Sequence, residues 1–244
     1  MALIGIAIGT ALLPKLSREI QSGELEKAKR SQDHALEFGM VLALPAAIGL
    51  LVLSQPIIST LFERGAFSPA AVDATAQTLF YYAIGLPAFI IIKVLQPSFF
   101  ARYDTLTPVK VASFMVLANL VLNIILMQYL AHAGLALATS ITAWLNAAIL
   151  TFILKQKGLH QHSKKTHIKL ARIFMASAVM GMGLVGLREF VGDSIFASKS
   201  WDILSLTALI VFGLFLYVIP VFLFRVVRLS EVRQEIRSWV KNNQ

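Results

Sequence analysis

Residues Ala74–Phe100 read "ATAQTLFYYAIGLPAFIIIKVLQPSFF", and this stretch decides the fold class of the chain. Its only charged side chain is Lys93. A helix needs about 20 predominantly apolar residues to cross the hydrocarbon core of a bilayer, and this stretch is longer than that. It therefore predicts a membrane-spanning helix, and it raises the question of why a lysine lies inside it.

Five more apolar runs of similar length lie on either side. The chain has 244 residues, of which 57% are hydrophobic and only 14% are charged, whereas soluble domains are about a quarter charged. Composition and run length together predict an all-α, polytopic integral membrane protein with six transmembrane helices. The predicted spans are Phe38–Phe62, Ala74–Phe100, Val109–Leu130, Gly134–Leu154, Leu170–Val191 and Ile203–Phe224.

The first 37 residues differ from the rest. Residues 1–13, "MALIGIAIGTALL", are apolar but too short for a span, and Pro14 follows them. We interpret them as the end of a seventh, truncated transmembrane helix, so the sequence is expected to be part of a longer protein. Residues 14–37 carry many charges, with apolar residues at helical spacing. They predict a cytoplasmic amphipathic segment of two short helical turns on the membrane surface, separated at Ser22-Gly23; a solvated linker is the alternative.

Lysine and arginine residues indicate which ends of the spans face the cytoplasm. Alternate connections hold 18 of the 22 basic residues. The C-terminus is therefore expected in the cytoplasm, and the net charge of +9 is interpreted as a topology signal that favours anionic lipids rather than nucleic acid. The basic connections are residues 15–37, residues 101–110, residues 155–172 and the C-terminal tail. Within the third connection, residues 155–169 form a basic loop. Residues 227–244 of the tail are expected to form an interfacial helix.

No enzymatic or metal chemistry is predicted. The chain has no cysteine, which excludes disulfides and thiolate ligands. No HExxH, GxSxG or P-loop pattern occurs, and no predicted span has a carboxylate in its middle. We therefore expect no catalytic residue, no cofactor and no metal site, and we interpret His160, His162 and His167 as part of a solvated loop.

Lys93 needs an explanation, because a lysine at the centre of a membrane helix costs about 2.5–3.5 kcal/mol. In one interpretation its stem extends toward the cytoplasmic headgroups, since Arg102 is nine residues away, about 13 Å along a helix. In the other it faces a wet cavity and meets an anion. The adjacent Gln96 and the helix-disturbing Pro87 and Pro97 favour the cavity. Lys93 and Gln96 are thus the candidate cavity residues.

A second polar group lies in the next two spans. Asn119 and Asn123 are one helical turn apart, and Thr139 lies in the following span. Hydrogen bonding between helices is one explanation. A weak site for a monovalent cation, built from amide and hydroxyl oxygens, is the other, although no carboxylate lies beside these residues.

Several stretches together resemble a known family. The chain is similar to the C-terminal half of the MurJ (MviN) family of bacterial lipid II flippases, in the MATE-like exporter superfamily. The resemblance runs along essentially the whole chain. The stretches that carry it are "GIAIGTALLPKLS" (5–17), "FERGAFS" (62–68), "IIKVLQPSFFARYDTLTPVK" (91–110) and "HAGLALATS" (132–140).

The resemblance implies a two-lobe protein of fourteen transmembrane helices. By this pattern the chain begins late in helix 8 and contains helices 9 to 14. Residues 38–154 would be four transmembrane helices of the C-terminal lobe, and residues 170–226 would be two additional helices whose groove holds a polyprenyl tail. The lipid-linked precursor would bind in a central cationic cavity between the lobes, and Lys93 matches a family lysine in the second lobe. The family's main cavity arginines lie before Met1. The region of Asn119, Asn123 and Thr139 is where some relatives are thought to bind a cation.

The implied function is transport, not catalysis. Alternating access would move lipid II from the inner to the outer leaflet of the bacterial cytoplasmic membrane, with coupling to the membrane potential or to a monovalent cation. The expected partners are lipid II, an N-terminal lobe and anionic membrane lipids. Two alternatives stay open: a flippase for another polyprenyl-linked glycan or a MATE-type exporter, and a non-transporting membrane scaffold.

Overall fold

The computed structural model describes residues 2–63, 67–157, 163–191 and 202–223. In these ranges the chain is helical and contains no β-strand. Six of the helices are long and apolar enough to cross a membrane, which confirms the predicted all-α, polytopic fold. The helices are α1 (Ala2–Gln21), α2 (Leu25–Phe62), α3 (Pro69–Phe100), α4 (Leu106–Leu130), α5 (His132–Gln156), α6 (Lys164–Val191) and α7 (Asp202–Leu223).

The helices end close to where the apolar runs end, but they begin earlier. α2 begins at Leu25, well before the predicted span at Phe38, because charged residues with good helix propensity extend it toward the N-terminus. α3 begins at Pro69, directly after Ser68, whose hydroxyl accepts a hydrogen bond from the Ala71 backbone N–H. A serine cap followed by proline in the first turn is a favourable helix start.

The N-terminal segment is arranged differently from the expected surface turns. α1 continues through Pro14 to Gln21, because Ile8, Leu12 and Leu16 form one buried stripe at intervals of four residues. The predicted break is present at Ser22-Gly23, where Gly23 has φ +76°. The residues on both sides of the break belong to the long helices α1 and α2.

α3 lies at the centre of the bundle. One buried apolar cluster joins it to α1, α2, α6 and α7 through residues such as Ile90 and Val94. A second cluster joins it to α4 and α5 through Leu95 and Phe99. Side chains on α3 are therefore held from two directions, and Lys93 lies in the same turns of the helix as these two apolar contacts.

The α4–α5 hairpin closes one side of the bundle. Most of the α4 surface is exposed, and most of its exposed side chains are large and apolar, which suits contact with lipid. The turn is tight, because a Cβ on Gly134 would lie 2.5 Å from the Leu126 carbonyl oxygen. Only glycine fits this position without moving backbone.

Some sequence expectations lie outside the described residues. These are the interfacial tail helix at 227–244, the middle of the basic loop, and His160 and His162. Around that loop, α5 extends to Gln156 and α6 begins at Lys164.

Candidate functional site

One face of α3 combines aromatic and polar side chains on the surface of the bundle. Phe89, Lys93 and Phe100 are exposed and Gln96 is half-buried, and the four lie at i, i+4, i+7 and i+11, which places them on one helical stripe. We call these four residues the α3 stripe. Ile92, next to Lys93, is buried, so the lysine is held on the face that leaves the core.

The stem of Lys93 lies against α1. A Cβ on Gly5 would lie 3.2 Å from Lys93 Cγ, and a Cβ on Gly9 would lie 3.4 Å from the Lys93 carbonyl oxygen. Two glycines one turn apart thus let α1 approach α3 at the lysine. Within the described part of the chain, no carboxylate pairs with the ammonium group.

The turn after α3 contains several charged residues. The sequence predicts that this end of α3 faces the cytoplasm. Arg102 donates from Nη1 to the Ser98 carbonyl oxygen at 2.6 Å, and partial burial lowers the pKa of its guanidinium. Asp104 accepts from the Thr107 backbone N–H (3.1 Å) and hydroxyl (2.9 Å) at the start of α4. Lys157 Nζ lies 2.6 Å from Asp104 Oδ2. The hydrogen bond from Lys157, followed by those from Thr107, holds the Asp104 pKa below its ordinary value.

Hydrogen bonds connect the polar side chains of α4 with one another and with those of α5. Asn119 Nδ2 donates to Thr142 Oγ1 at 3.3 Å, and Asn123 Nδ2 donates to Asn119 Oδ1 at 3.0 Å. Thr139 donates within its own helix, to the Leu135 carbonyl oxygen, and its own carbonyl accepts from the Thr142 hydroxyl. A hydrogen bond between helices therefore accounts for Asn119, whereas Asn123 donates within α4. The Oδ1 atoms of Asn123 and Asn146 are buried and have no donor among the described residues.

An apolar groove lies between α2, α6 and α7. Its volume is about 630 Å³, and its wall residues are apolar except for one tyrosine. Tyr217 donates from its hydroxyl to the Val41 carbonyl oxygen at 2.7 Å and ties α7 to α2. A Cβ on Gly181 would lie 2.6 Å from Ile48 Cγ2, so the small residues of α6 pack closely against α2. The groove thus has three walls, one more than the two expected from the last two helices alone.

Paired charges join α2 to α6, and we call this contact the α2–α6 seam. Buried Asp33 accepts from the Thr166 hydroxyl at 3.0 Å and from the Ser163 backbone N–H at 3.3 Å. Glu37 pairs with Lys169 at 2.8 Å. Each of these acidic groups on α2 has a partner on α6.

A polar cluster lies at the opposite ends of the same helices. Gln55 donates to Asp73 Oδ1 at 3.2 Å and accepts from Arg188 Nη2 at 3.2 Å. The cluster lines a pocket of about 330 Å³. Gln55 and Arg188 are 133 residues apart in the sequence, so local spacing carries no signal for their contact.

The sequence-predicted site residues fall into two separate groups. Lys93 and Gln96 share the α3 stripe, whereas Asn119 and Asn123 lie on α4 beside α5. Nothing in the described contacts joins the two groups. The glycines of α1 that face Lys93 were missed as site residues, although their spacing of four residues could have suggested a close helix approach.

The fold and these sites define a polytopic helical membrane protein with charged and polar residues at selected points of its spans. The family model for the lipid II flippase MurJ matches residues 1–223. The chain belongs to this family.

Individual relatives agree with the family match. The chain is 35% identical over 241 residues to a probable lipid II flippase MurJ from Rhizobium tropici, covering 97% of this chain and 45% of that protein. It is 36% identical over 237 residues to one from Vibrio cholerae, covering 96% and 44%. A solved structure of the lipid II flippase MurJ in an inward closed conformation matches with a TM-score of 0.74 at 26% identity, covering 91% of this chain and 43% of that one. The chain thus spans less than half the length of these relatives.

Proposed function

We propose that this chain is the C-terminal lobe of a flippase that moves lipid II from the inner to the outer leaflet of the bacterial cytoplasmic membrane. The observation that carries the proposal is the family match along residues 1–223. The named relatives are lipid II flippases of more than twice the aligned length. Transport by alternating access would require a second lobe that rocks against this one, so the N-terminal lobe is the first partner we propose.

Lys93 supports a role in handling the anionic cargo. Its ammonium lies on an exposed stripe of a membrane helix without a carboxylate partner in the described part of the chain. A charge at this depth is costly unless water or an anion meets it. The pyrophosphate of a polyprenyl-linked precursor would supply that anion. Gln96, one turn further along, would donate a neutral hydrogen bond.

The α3 stripe faces away from the core, and we propose that the second lobe closes over it. Phe89 and Phe100 would then pack against the partner lobe, while Lys93 and Gln96 would line the water-filled space between the lobes. The alternative for Lys93 is that its stem extends to the cytoplasmic headgroups. Contact of its stem with Gly5 of α1 supports the cavity, because it directs the stem across the bundle surface.

The apolar groove supports a place for the polyprenyl chain. It is bounded by α2, α6 and α7, and its lining offers almost no hydrogen-bonding group. A long hydrocarbon chain would gain burial there while the polar headgroup moved between the lobes. The rigid attachment of α7 through Tyr217 would keep the groove open during the movement.

We propose the same orientation that the basic residues predict, with the C-terminus in the cytoplasm and the basic connections near anionic lipid headgroups. With the inside negative, outward movement of an anion is favoured by about 2.3 kcal/mol per charge per 100 mV. The membrane potential could thus contribute to transport. A monovalent cation is a second coupling candidate, supported by the Oδ1 of Asn123, which has no donor among the described residues and lies beside Asn119.

Reconstitution tests the proposed function. We expect a full-length transporter, in which an N-terminal lobe precedes this chain, to move fluorescently labelled lipid II across liposome membranes, and we expect the isolated 244 residues to be inactive. Polyprenyl-linked glycans without the peptide would compete poorly. Equal transport of such glycans would favour the alternative cargo, and robust flipping by the isolated chain would contradict the two-lobe proposal.

A further inference from the structure

Pro87 interrupts the hydrogen-bond ladder of α3 in the middle of the bundle. Because proline has no N–H, the carbonyl of Ala83 receives no helical hydrogen bond from residue 87, and the proline ring crowds the same turn. α3 nevertheless continues from Pro69 to Phe100 as one helix. At membrane depth a neighbouring helix must stabilise such an interruption, since lipid offers no hydrogen-bond partner.

α5 supplies donors to the carbonyls on both sides of Ala83. Ser140 Oγ donates to the Tyr81 carbonyl oxygen at 2.6 Å, and Trp144 Nε1 donates to the Ile84 carbonyl oxygen at 3.0 Å. The two donors are one turn apart on α5, so they reach two successive turns of α3. Their partners are about 60 residues away along the chain, and neither bond is a local capping contact.

Small residues bring the two helices close enough for these bonds. A Cβ on Gly85 would lie 2.7 Å from Ser140 Oγ and 3.1 Å from Ser140 Cα. Ala83 and Ala88 on α3 are fully buried, and Ala143 on α5 is nearly so. The contact around Pro87 is therefore a close backbone approach, in which Ser140 is buried and Trp144 lies at the edge of the helix pair.

We propose that Ser140 and Trp144 are positioning residues that fix the Pro87 turn of α3 and thereby set the location of Lys93. Lys93 follows Pro87 by six residues, about 9 Å along the helix. It leaves α3 on a different face from the α5 contact, toward Gly5 and Gly9 of α1. α5 holds one side of α3 so that the lysine on another side meets α1. The importance of that location for transport rests on the proposed function; the positioning itself does not.

Cysteine labelling measures the position of residue 93 directly. This chain has no cysteine, so Lys93→Cys in a full-length transporter with a cysteine-free N-terminal lobe offers one thiol to a membrane-impermeant reagent. Ser140→Ala and Trp144→Phe remove only the donors. Ser177→Ala is the matched control, because Ser177 is equally buried but its hydroxyl bonds within α6 to the Ile173 carbonyl oxygen.

We expect each donor variant to change the labelling rate of Lys93→Cys about threefold, because the average free energy of one hydrogen bond between membrane helices corresponds to a ratio of that size. The double variant should change the rate more. Ser177→Ala should leave the rate unchanged. In a Pro87→Ala background the restored backbone N–H donates to the Ala83 carbonyl and stabilises the same turn, so the effect of Trp144→Phe should become smaller. The same donor variants with Lys93 intact should slow lipid II transport.

The outcomes separate the two proposals. If the labelling rate in the donor variants equals that of the Ser177→Ala control, or if Pro87→Ala does not reduce the effect, the positioning proposal is wrong. If the double variant does not accumulate in the membrane, Trp144→Phe alone decides, since it keeps an aromatic ring of similar shape. If labelling shifts but Lys93→Ala transports normally, positioning stands and the cavity function of Lys93 is wrong.

Discussion

The α2–α6 seam and the α3 stripe both place charges near or within membrane-spanning helices, but the two regions differ in whether those charges have partners. In the seam, Asp33 and Glu37 each have partners on α6. On the stripe, Lys93 has no acidic partner in the described part of the chain. A paired buried charge holds two helices together, whereas an unpaired one adds nothing to the fold and remains available for an anion. The difference gives the seam a structural role and supports the proposed role of the stripe in transport.

The largest effect on stability is expected at Asp33. Asp33→Ala removes the acceptor of the buried Thr166 hydroxyl and of the Ser163 N–H, and we expect a loss of about 2–3 kcal/mol in the free energy of unfolding. The thermal unfolding midpoint of the purified protein in detergent measures it. Asp73→Ala is the control, because Asp73 is exposed and accepts a hydrogen bond from the Gln55 side chain. Equal thermal unfolding midpoints for the two variants would show that the α2–α6 seam does not stabilise the fold.

A smaller loss is expected at the second pair of the seam. Lys169→Met leaves the partly buried Glu37 carboxylate without its ammonium partner. We expect a loss of about 1 kcal/mol, because Lys169 is partly exposed and water can replace it. A double-mutant cycle with Glu37→Gln measures the coupling, and a coupling energy of zero would show that the ion pair does not join α2 to α6.

The Asp104–Lys157 pair should give a still smaller, pH-dependent effect. Since Lys157 lowers the Asp104 pKa in the folded protein, the stabilisation is complete above the ordinary aspartate pKa of about 4 and is lost as the pH falls through the lowered value. The pair is partly exposed, so we expect less than about 1 kcal/mol. Lys157→Met should flatten the acid limb of the unfolding midpoint plotted against pH. An unchanged acid limb would contradict the assignment to this pair.

The sequence predicted the fold well where a single segment carries the information. The ends of α2, α3, α4 and α6 follow from where apolar runs stop, and the break at Gly23 follows from a glycine among charged residues. Helix starts were harder, because residues such as Glu26 and Lys27 continue a helix without being apolar, so hydropathy does not include them.

The candidate site could be predicted only in part. Lys93 stands out in its span, and the spacing of Asn119 and Asn123 predicts a shared face. Which face of α3 leaves the core depends on packing by helices from both ends of the chain. The bonds from Ser140 and Trp144 to carbonyls of α3 involve backbone acceptors, which every residue has, so no residue pattern could reveal them.

The smallest effect on stability and the largest on transport are expected at Lys93, and this contrast is the central claim. Lys93→Ala in a full-length transporter should leave the unfolding free energy within about 0.5 kcal/mol. Lipid II transport into the outer leaflet should fall at least about tenfold, since a hydrogen bond to a charged group contributes about 1.5–3 kcal/mol. Lys93→Arg should retain most transport, and Lys110→Ala, which alters an exposed lysine at the start of α4, should retain all of it. Normal transport by a stable Lys93→Ala protein would contradict the claim and leave snorkelling to the headgroups as the explanation of this lysine.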